Sequence, residues 1–357
     1  RGIKIMKKSG FFGFITPNLF IKGMNYESLR QYLLINTNII EIIDKGDGVF
    51  SDVQMPTAIT IFKKEQNLNQ EWENFLPGNS ILIRIKNNSI NLNEIVKIMR
   101  GLEIGKDKVN LGQKFKQFLT GEDVFRYGIK NYSFINEDVF TEFQKDLFYF
   151  TGERILIRET GNRITSIYLS DNITFQNRSL YSIKLNSNDF SLGFLLAIIN
   201  SNLMQFYYEN KFKANTNVFP KIRIGQVKEL PIKNISPEAQ QPFIFKADLM
   251  LSLNKDLQEV SGKFQRNIQR EFGLQSLSGK LQSWNDLSYP DFLRELAKAK
   301  VSLTLSQKAE WEDYFTAEQQ KAQNLKQQIA ATDSEIDRMV YELYGLTEEE
   351  IRIVEGE

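Results

Sequence analysis

Two long stretches near the C-terminus carry apolar residues at the spacing of α-helices. The first runs from Ala239 to Phe272 and the second from Ser306 to Tyr344, and a glycine follows each of them, as is common where helices end. Helices of this length that are rich in Gln, Lys and Glu outside the apolar stripe are typical of coiled coils. The sequence therefore predicts that residues 236–357 form a long antiparallel helical arm.

The first hundred residues alternate short apolar runs with turn signals. Phe11–Pro17, Ile39–Asp44 and Thr57–Lys64 have the composition of strands, and a helix is expected near Tyr26–Leu34. Continuous apolar strands are typical of parallel sheets that are buried on both faces. The pattern therefore predicts the edge half of an α/β sheet in residues 1–100, with its first strand buried.

Residues 101–235 contain more aromatic and β-branched side chains, interrupted by glycine and asparagine. We expect a mixed, mainly β domain with one helix at Ser191–Asn210 and a last short strand at Ile222–Val227. A chain of 357 residues favours two or more domains over a single core. The fold class predicted for the whole chain is α+β.

The chain contains neither cysteine nor histidine. A thiol nucleophile, a Ser-His-Asp triad, an imidazole base and the usual zinc ligands are therefore excluded, and any catalysis must use carboxylates, amides, hydroxyls or lysine. The sequence singles out no catalytic residue and no metal site. No apolar run approaches the roughly 20 residues that a membrane span requires, and no export signal is visible. Because the lack of cysteine also suits a reducing compartment, we expect a cytoplasmic protein without a membrane partner.

The net charge of +1 conceals a gradient along the chain. Residues 1–235 carry 31 basic and 23 acidic side chains, whereas residues 236–357 carry 14 and 21. A basic body joined to an acidic helical end is typical of a protein whose first two thirds contact a polyanion.

An arginine-rich run, RILIRETGNR, contains the first candidate contacts with a polyanion: Arg154, Arg158 and Arg163. Arginine can bind guanine or phosphate through two parallel hydrogen bonds, and a strand end can present it in the major groove of DNA. The alternative is a solvated face or ion pairs with acidic neighbours such as Glu153 or Glu159.

A polar stretch after the predicted helix supplies the second set of candidates. Lysines provide charge there, and short amides can bind base edges or phosphates. These candidates are Lys211, Lys213, Asn215, Asn217 and Lys221. The alternative is a loop that merely caps the helix, since asparagine and threonine favour caps.

Several segments resemble one family in the family's own order. GFFGFITPNLFIK, LRQYLL and IIEIIDKGDGVFSDVQMPTAITIFKK resemble the stretch after the catalytic tetrapeptide of γ-class adenine-specific N6 DNA methyltransferases, including the bifunctional type IIG (IIS) restriction-modification enzymes. GEDVFRYGIKNY, ERILIRETG, SLYSIKL, LLAIINSNLMQFYY and FPKIRIGQVKELPI resemble their TaqI-like specificity domain. EIDRMVYELYGLTEEEIRIVE resembles their usual C-terminus.

The resemblance implies three parts with separate roles. Residues 1–100 would be the C-terminal part of a methyltransferase domain with a truncated sheet edge, residues 101–235 the target recognition domain, and residues 236–357 a helical coiled-coil region. It also implies that Phe50, beside GDGV, stacks on an adenine extruded from the duplex, since a stacking partner offsets part of the cost of extrusion. The alternative for Phe50 is a core position.

Two motifs of the family are absent from this sequence. It has no Pro-Pro dipeptide for an NPPY-type tetrapeptide and no Gly-rich turn of the FxGxG type. The resemblance therefore implies a C-terminal portion that binds double-stranded DNA without methylating it, S-adenosylmethionine being the cofactor of the full-length parent only. Its protein partner would be the methyltransferase or nuclease portion. The alternative is a helical specificity subunit that docks a separate methyltransferase subunit.

Overall fold

The computed structural model describes residues 2–46, 49, 55–67, 69–75, 79–104, 115–136, 138–141, 145–212 and 221–356. It confirms the predicted α+β class, because two β-rich parts precede a pair of long helices. Candidate residues Phe50, Lys213, Asn215 and Asn217 lie outside the described residues. Within the described ranges no helix combines the length and apolarity needed to cross a bilayer.

The first part is a three-stranded sheet with short helices beside it. Its elements are α1 (Gly2–Ile5), β1 (Phe11–Pro17), α2 (Leu19–Lys22), α3 (Glu27–Asn36), β2 (Asn38–Gly46) and β3 (Thr57–Lys63). The strands lie in the order β1-β3-β2, and both neighbouring pairs are antiparallel. The sequence located these strands and α3 correctly, but the expectation of parallel pairing is wrong.

Strand β1 is at the edge of this sheet and is not buried as predicted. Phe11, Phe14 and Ile15 are 70%, 51% and 52% exposed, whereas Phe62 on the central strand is buried. A run of apolar residues indicates a strand, but the sequence of that run does not reveal whether another layer covers it. The sheet therefore presents an apolar surface to solvent in the described part of the chain.

A short connection leads into the middle part. It consists of α4 (Asn79–Lys86), β4 (Ser89–Asn91), α5 (Leu92–Ile95) and β5 (Val96–Arg100). Strand β4 pairs with Pro231–Lys233, and β5 pairs with Leu180–Leu185. The last residues of the predicted first segment therefore belong to a sheet of the middle part.

The middle part is built on a four-stranded antiparallel sheet and a smaller three-stranded sheet. Its elements are β6 (Phe115–Leu119), β7 (Val124–Phe125), β8 (Gly128–Ile129), β9 (Ser133–Asn136), α6 (Asp138–Thr141), β10 (Gly152–Arg158), β11 (Ser166–Asp171), β12 (Thr174–Gln176), β13 (Leu180–Leu185), α7 (Leu192–Asn200), α8 (Asn202–Lys211), α9 (Ile224–Lys228) and β14 (Pro231–Lys233). The larger sheet has the order β11-β10-β13-β5, and the smaller one β12-β6-β9. Helix α7 is buried almost throughout, so it forms the centre of the main core.

Two sequence predictions in this part are wrong in detail. The single helix expected at Ser191–Asn210 is divided at Ser201, which has extended backbone and accepts a hydrogen bond from the amide of Met204 at the start of α8. Apolar periodicity does not detect a break of one residue, although serine is a favoured helix cap. Ile222–Val227, expected as a strand, contains the start of α9 instead.

The C-terminal part confirms the predicted antiparallel helical arm. It contains α10 (Pro237–Phe272), α11 (Gly279–Gln282), α12 (Tyr289–Lys298), α13 (Leu305–Tyr344) and α14 (Glu348–Glu355). Lys246 near the start of α10 pairs with Glu335 near the end of α13, and Asn267 near the end of α10 donates to the hydroxyl of Tyr314 at 2.6 Å. The far end of the arm has its own aromatic core, which includes Phe264, Trp284, Phe292 and Phe315.

Candidate nucleic-acid interface

Arg154 lies in β10 and is fully buried. Its guanidinium is 3.0 Å from the Asp171 carboxylate and donates to the carbonyls of Gly152 and Thr174 at 2.6 and 3.2 Å. Burial lowers the pKa of Arg154, and Asp171 opposes that effect. The prediction that Arg154 contacts DNA is wrong for this structure, because the side chain is fully buried and its terminal nitrogens bind groups inside the sheet. The ion-pair alternative applies, with Asp171 rather than Glu153 or Glu159 as the partner.

Arg158 is the last residue of β10 and is only partly buried. Its Nε is shielded from solvent and has no hydrogen-bond partner among the described residues. The chain turns immediately afterwards at Gly161, whose φ of +150° favours glycine. The rest of the guanidinium makes no hydrogen bond with the described residues, so its terminal nitrogens suit the predicted contact with DNA, which stays a prediction.

Arg163 follows the same turn but is held by the helix junction. Its guanidinium donates to the side chain of Asn202 at 2.5 Å and lies 3.5 Å from the carbonyl oxygen of Asn200. Burial lowers its pKa, and the nearby Arg126 lowers it further. Part of its donor capacity is therefore committed to the protein.

The junction beside Arg163 is a buried polar network between the middle part and α13. Arg126 binds both carboxylate oxygens of Asp333 at 2.6 and 2.8 Å and donates to the carbonyl of Asn200 at 2.8 Å. Asp337 accepts from the backbone amide of Asn202 at 2.7 Å, and its burial raises its pKa to about 6. These groups attach the helical arm to the middle part.

Lys211 and Lys221 lie on either side of residues 213–220. The ammonium of Lys211 is 5.9 Å from the ring centroid of Tyr207 and 5.8 Å from that of Phe212. Lys221 is exposed, and its carbonyl accepts from the hydroxyl of Tyr208 at 3.4 Å. The exposed side chain of Lys221 suits the contact that the sequence predicted, and Lys211 is partly buried.

Backbone contacts bring the arginine-containing turn and Lys221 to one surface. Thr160 and Lys221 form an antiparallel bridge, and the amide of Ile222 donates to the carbonyl of Glu159 at 2.7 Å. Gln205 on α8 donates to the carbonyl of Asn162 at 3.0 Å. We call the surface formed by Arg158–Arg163, Lys211 and Lys221–Arg223 the turn surface.

Sequence reasoning missed two arginines at the turn surface. Arg223 is exposed two residues after Lys221. Arg100, at the end of β5, places one guanidinium nitrogen 2.7 and 2.9 Å from the two carboxylate oxygens of Glu159. The basic pattern around Lys221 could have indicated Arg223, whereas only the sheet brings Arg100 next to Glu159.

A cavity of about 290 Å³ lies beside Lys211 and joins the turn surface to the first part. Its cations are Lys22, Arg30 and Lys211, and its acids are Glu27, Glu71 and Glu229. Arg30 already donates to the carbonyls of Phe20 and Gly23, so the balanced lining gives no preference for an anion. Within the described residues no group of acidic side chains could hold a metal ion.

Three family models match successive parts of the chain. Residues 1–50 match the Eco57I restriction-modification methylase family, and residues 96–232 match the TaqI-like C-terminal specificity domain. Residues 236–340 match a domain of unknown function, DUF8810.

Solved restriction-modification proteins resemble parts of the chain at low identity. The type IIL enzyme MmeI in complex with DNA is 10% identical over 96% of this chain and 48% of its own, with a TM-score of 0.49. The type I S subunit from M. genitalium is 15% identical over 55% of this chain and 48% of its own, with a TM-score of 0.34. The HsdS subunit from Thermoanaerobacter tengcongensis is 12% identical over 57% of this chain and 47% of its own, with a TM-score of 0.31.

The chain spans about half the length of each of these structures. The specificity-domain match includes the turn surface, and the methylase match includes β1 and β2 of the first sheet. Residues 96–232 are therefore similar to a TaqI-like C-terminal specificity domain, and they follow a segment that is similar to an Eco57I restriction-modification methylase.

Proposed function

We propose that this chain is the DNA sequence-recognition portion of an adenine-specific DNA methyltransferase or of a type IIG/IIS restriction-modification enzyme. It acts in the cytoplasm, binds double-stranded DNA and transfers no methyl group by itself. The parent enzyme uses S-adenosylmethionine. Residues 1–100 complete the methyltransferase domain, residues 101–235 recognise the target, and residues 236–357 form the helical support.

The observation that carries this proposal is the position of the turn surface within the specificity domain. Arg158, at the end of β10, is only partly buried and its guanidinium makes no hydrogen bond with the described residues, and Lys221 and Arg223 are exposed beside it. Arginine at a strand end can bind a guanine edge, while lysine binds phosphate as a point charge. Arg154 is excluded from the proposed contact set because it is buried.

The apolar surface of the first sheet supports a second part of the proposal, a methyltransferase core as protein partner. Most exposed large apolar side chains of the described chain lie between Ile5 and Met55. Phe12, Phe14, Tyr32 and Phe62 line one apolar groove of about 490 Å³. Contiguous apolar patches of this kind mark protein interfaces, and the sheet edge at β1 offers unpaired backbone groups.

Fluorescence anisotropy with labelled duplexes tests the function directly. The chain should bind duplex DNA with an affinity that falls steeply with salt, and selection from a random duplex pool should return one preferred sequence. Arg158→Ala should relax the preference at one base pair by about 1–3 kcal/mol. Lys221→Ala should weaken binding to all duplex sequences alike. It should also reduce the slope of log affinity against log salt concentration by about one.

Lys263→Ala is the matched control, because Lys263 is an exposed lysine on the distal half of α10. This variant should bind like the unchanged chain. Absence of duplex binding at low salt would refute the proposal. Incubation with radiolabelled S-adenosylmethionine and the preferred duplex should leave no label on DNA.

The long antiparallel arm favours one alternative function, a specificity subunit that docks a separate methyltransferase subunit. Helices α10 and α13 carry a second core far from the turn surface, as a docking arm requires. Stoichiometric association with such a subunit, without any sequence preference for DNA, would support this alternative.

A further inference from the structure

An exposed phenylalanine is held rigidly at the edge of the larger sheet. Phe148 is 40% exposed within the short 3₁₀ turn Leu147–Phe150, whereas Phe150 is fully buried and anchors that turn. Asp146 accepts from the amide of Phe148 at 2.9 Å, and Ser182 donates to the carbonyl of Tyr149 at 2.7 Å. The backbone at Phe148 is therefore anchored, and its ring lies at the surface.

Two lysines lie over this ring on adjacent strands. Lys97 on β5 is directly opposite Lys184 on β13, and their ammonium groups are 5.9 and 4.4 Å from the Phe148 ring centroid. Lys184 also donates to the carbonyl of Thr151 at 2.6 Å. Like charges directly opposite each other destabilise a sheet, so this pair is not explained by stability.

No carboxylate among the described residues forms an ion pair with either lysine. The two acids that act on Lys184 are engaged elsewhere: Asp171 pairs with Arg154, and Glu153 accepts from the hydroxyl of Tyr168 at 2.8 Å. The ring contributes a cation-π attraction, but it does not neutralise the charge. The two ammonium groups therefore remain available to an external anion.

A third lysine extends the positive charge toward the turn surface. Lys145 donates to the carbonyls of Arg100 and Gly101 at 2.6 and 2.7 Å, at the far end of β5. The three residue steps from Lys97 to Arg100 span about 10 Å of strand. That length corresponds to roughly three base pairs along one DNA strand at about 3.4 Å per step. We call Lys97, Lys145, Phe148 and Lys184 the edge cluster.

We propose that the edge cluster is a second DNA contact, in which the three lysines bind consecutive phosphates of one strand while Phe148 packs against the deoxyribose between them. This inference rests on the proposed function and adds a phosphate-binding track that leads from the turn surface along β5. Base recognition stays at the turn surface, and the edge cluster fixes the position of the duplex without reading its sequence.

Lys97→Ala is the decisive variant, because the side chain is exposed and makes no hydrogen bond within the described structure. For this variant the slope of log affinity against log salt concentration should become shallower by about 0.9. The loss of affinity should be equal for the preferred duplex and for a scrambled duplex. Phe148→Leu should weaken both duplexes with an unchanged slope. Lys263→Ala controls for loss of one charge, and melting temperatures verify that each variant is folded.

The outcomes separate this inference from the proposed function. If the unchanged chain binds duplex DNA and both edge-cluster variants bind it with the same affinity and slope, the inference is overturned and the proposed function stands. If the edge-cluster variants bound the preferred duplex more weakly but the scrambled duplex unchanged, the assignment of these lysines to phosphate contacts would also be overturned. If the unchanged chain binds no duplex, both proposals fail together.

Discussion

Replacing Arg154 with methionine should destabilise the specificity domain without weakening the DNA affinity of the folded protein. The change removes a fully buried guanidinium that pairs with Asp171 and donates to two carbonyls, while it keeps most of the side-chain volume. Removing one partner of a buried ion pair costs about 3–5 kcal/mol. Asp171 is 24% exposed and regains some hydration, so we expect about 2–4 kcal/mol.

Urea unfolding followed by near-ultraviolet circular dichroism measures this loss, and anisotropy below the unfolding transition measures DNA affinity. The Asp171→Asn variant and the double variant complete a thermodynamic cycle, whose coupling should be about 1–3 kcal/mol. An Arg154→Met protein with unchanged stability but tenfold weaker DNA binding would refute the buried role. Such a result would instead support the contact between Arg154 and DNA that the sequence alone predicted.

Three further predictions concern packing and the helix junction. Gly101→Ala should lower stability by about 1–3 kcal/mol in thermal melts, because the new methyl carbon would lie 2.1 Å from the carbonyl oxygen of Asn177. Arg126→Ala should increase hydrogen exchange around Asp333 on α13, because it removes both ion-pair contacts; unchanged exchange would contradict this role. Above its raised pKa of about 6, Asp337 is ionised in the folded protein and should lower the free energy of unfolding. This penalty should disappear as the pH falls to about 4, because Asp337 is then protonated in the folded protein. Asp337→Asn should therefore gain stability on the order of 2 kcal/mol relative to the unchanged chain at pH 7.5 but not at pH 4 in urea titrations.

Local patterns in the sequence predicted the helical arm well. The apolar spacing located α10 and α13 to within two residues at their starts, and Gly273 and Gly345 end them with φ of 62° and 71°. Both signals depend on neighbouring residues only, since helical periodicity and a left-handed cap are local properties. The antiparallel pairing followed because two long amphipathic helices in one chain can bury their stripes against each other.

The candidate site was harder to predict, because exposure depends on residues far away in the chain. Arg154 and Arg158 alternate with apolar residues in the same run, yet the first is fully buried beside Asp171 and Thr174, whereas the second is only partly buried at the strand end. The edge cluster joins Lys97 to Lys184, which are 87 positions apart in the sequence, through the pairing of β5 with β13. No local pattern indicates either arrangement.

The sequence by itself determined the α+β class, the helical arm and the family resemblance, because periodicity, caps and ordered motifs each depend on short segments of the chain. Tertiary structure alone decided that the first sheet is antiparallel with an apolar face toward solvent, and that Arg154 is structural. The physical reason is that strand pairing and burial are set by contacts between distant segments. The free energy of each charged side chain depends on the partners that those contacts supply.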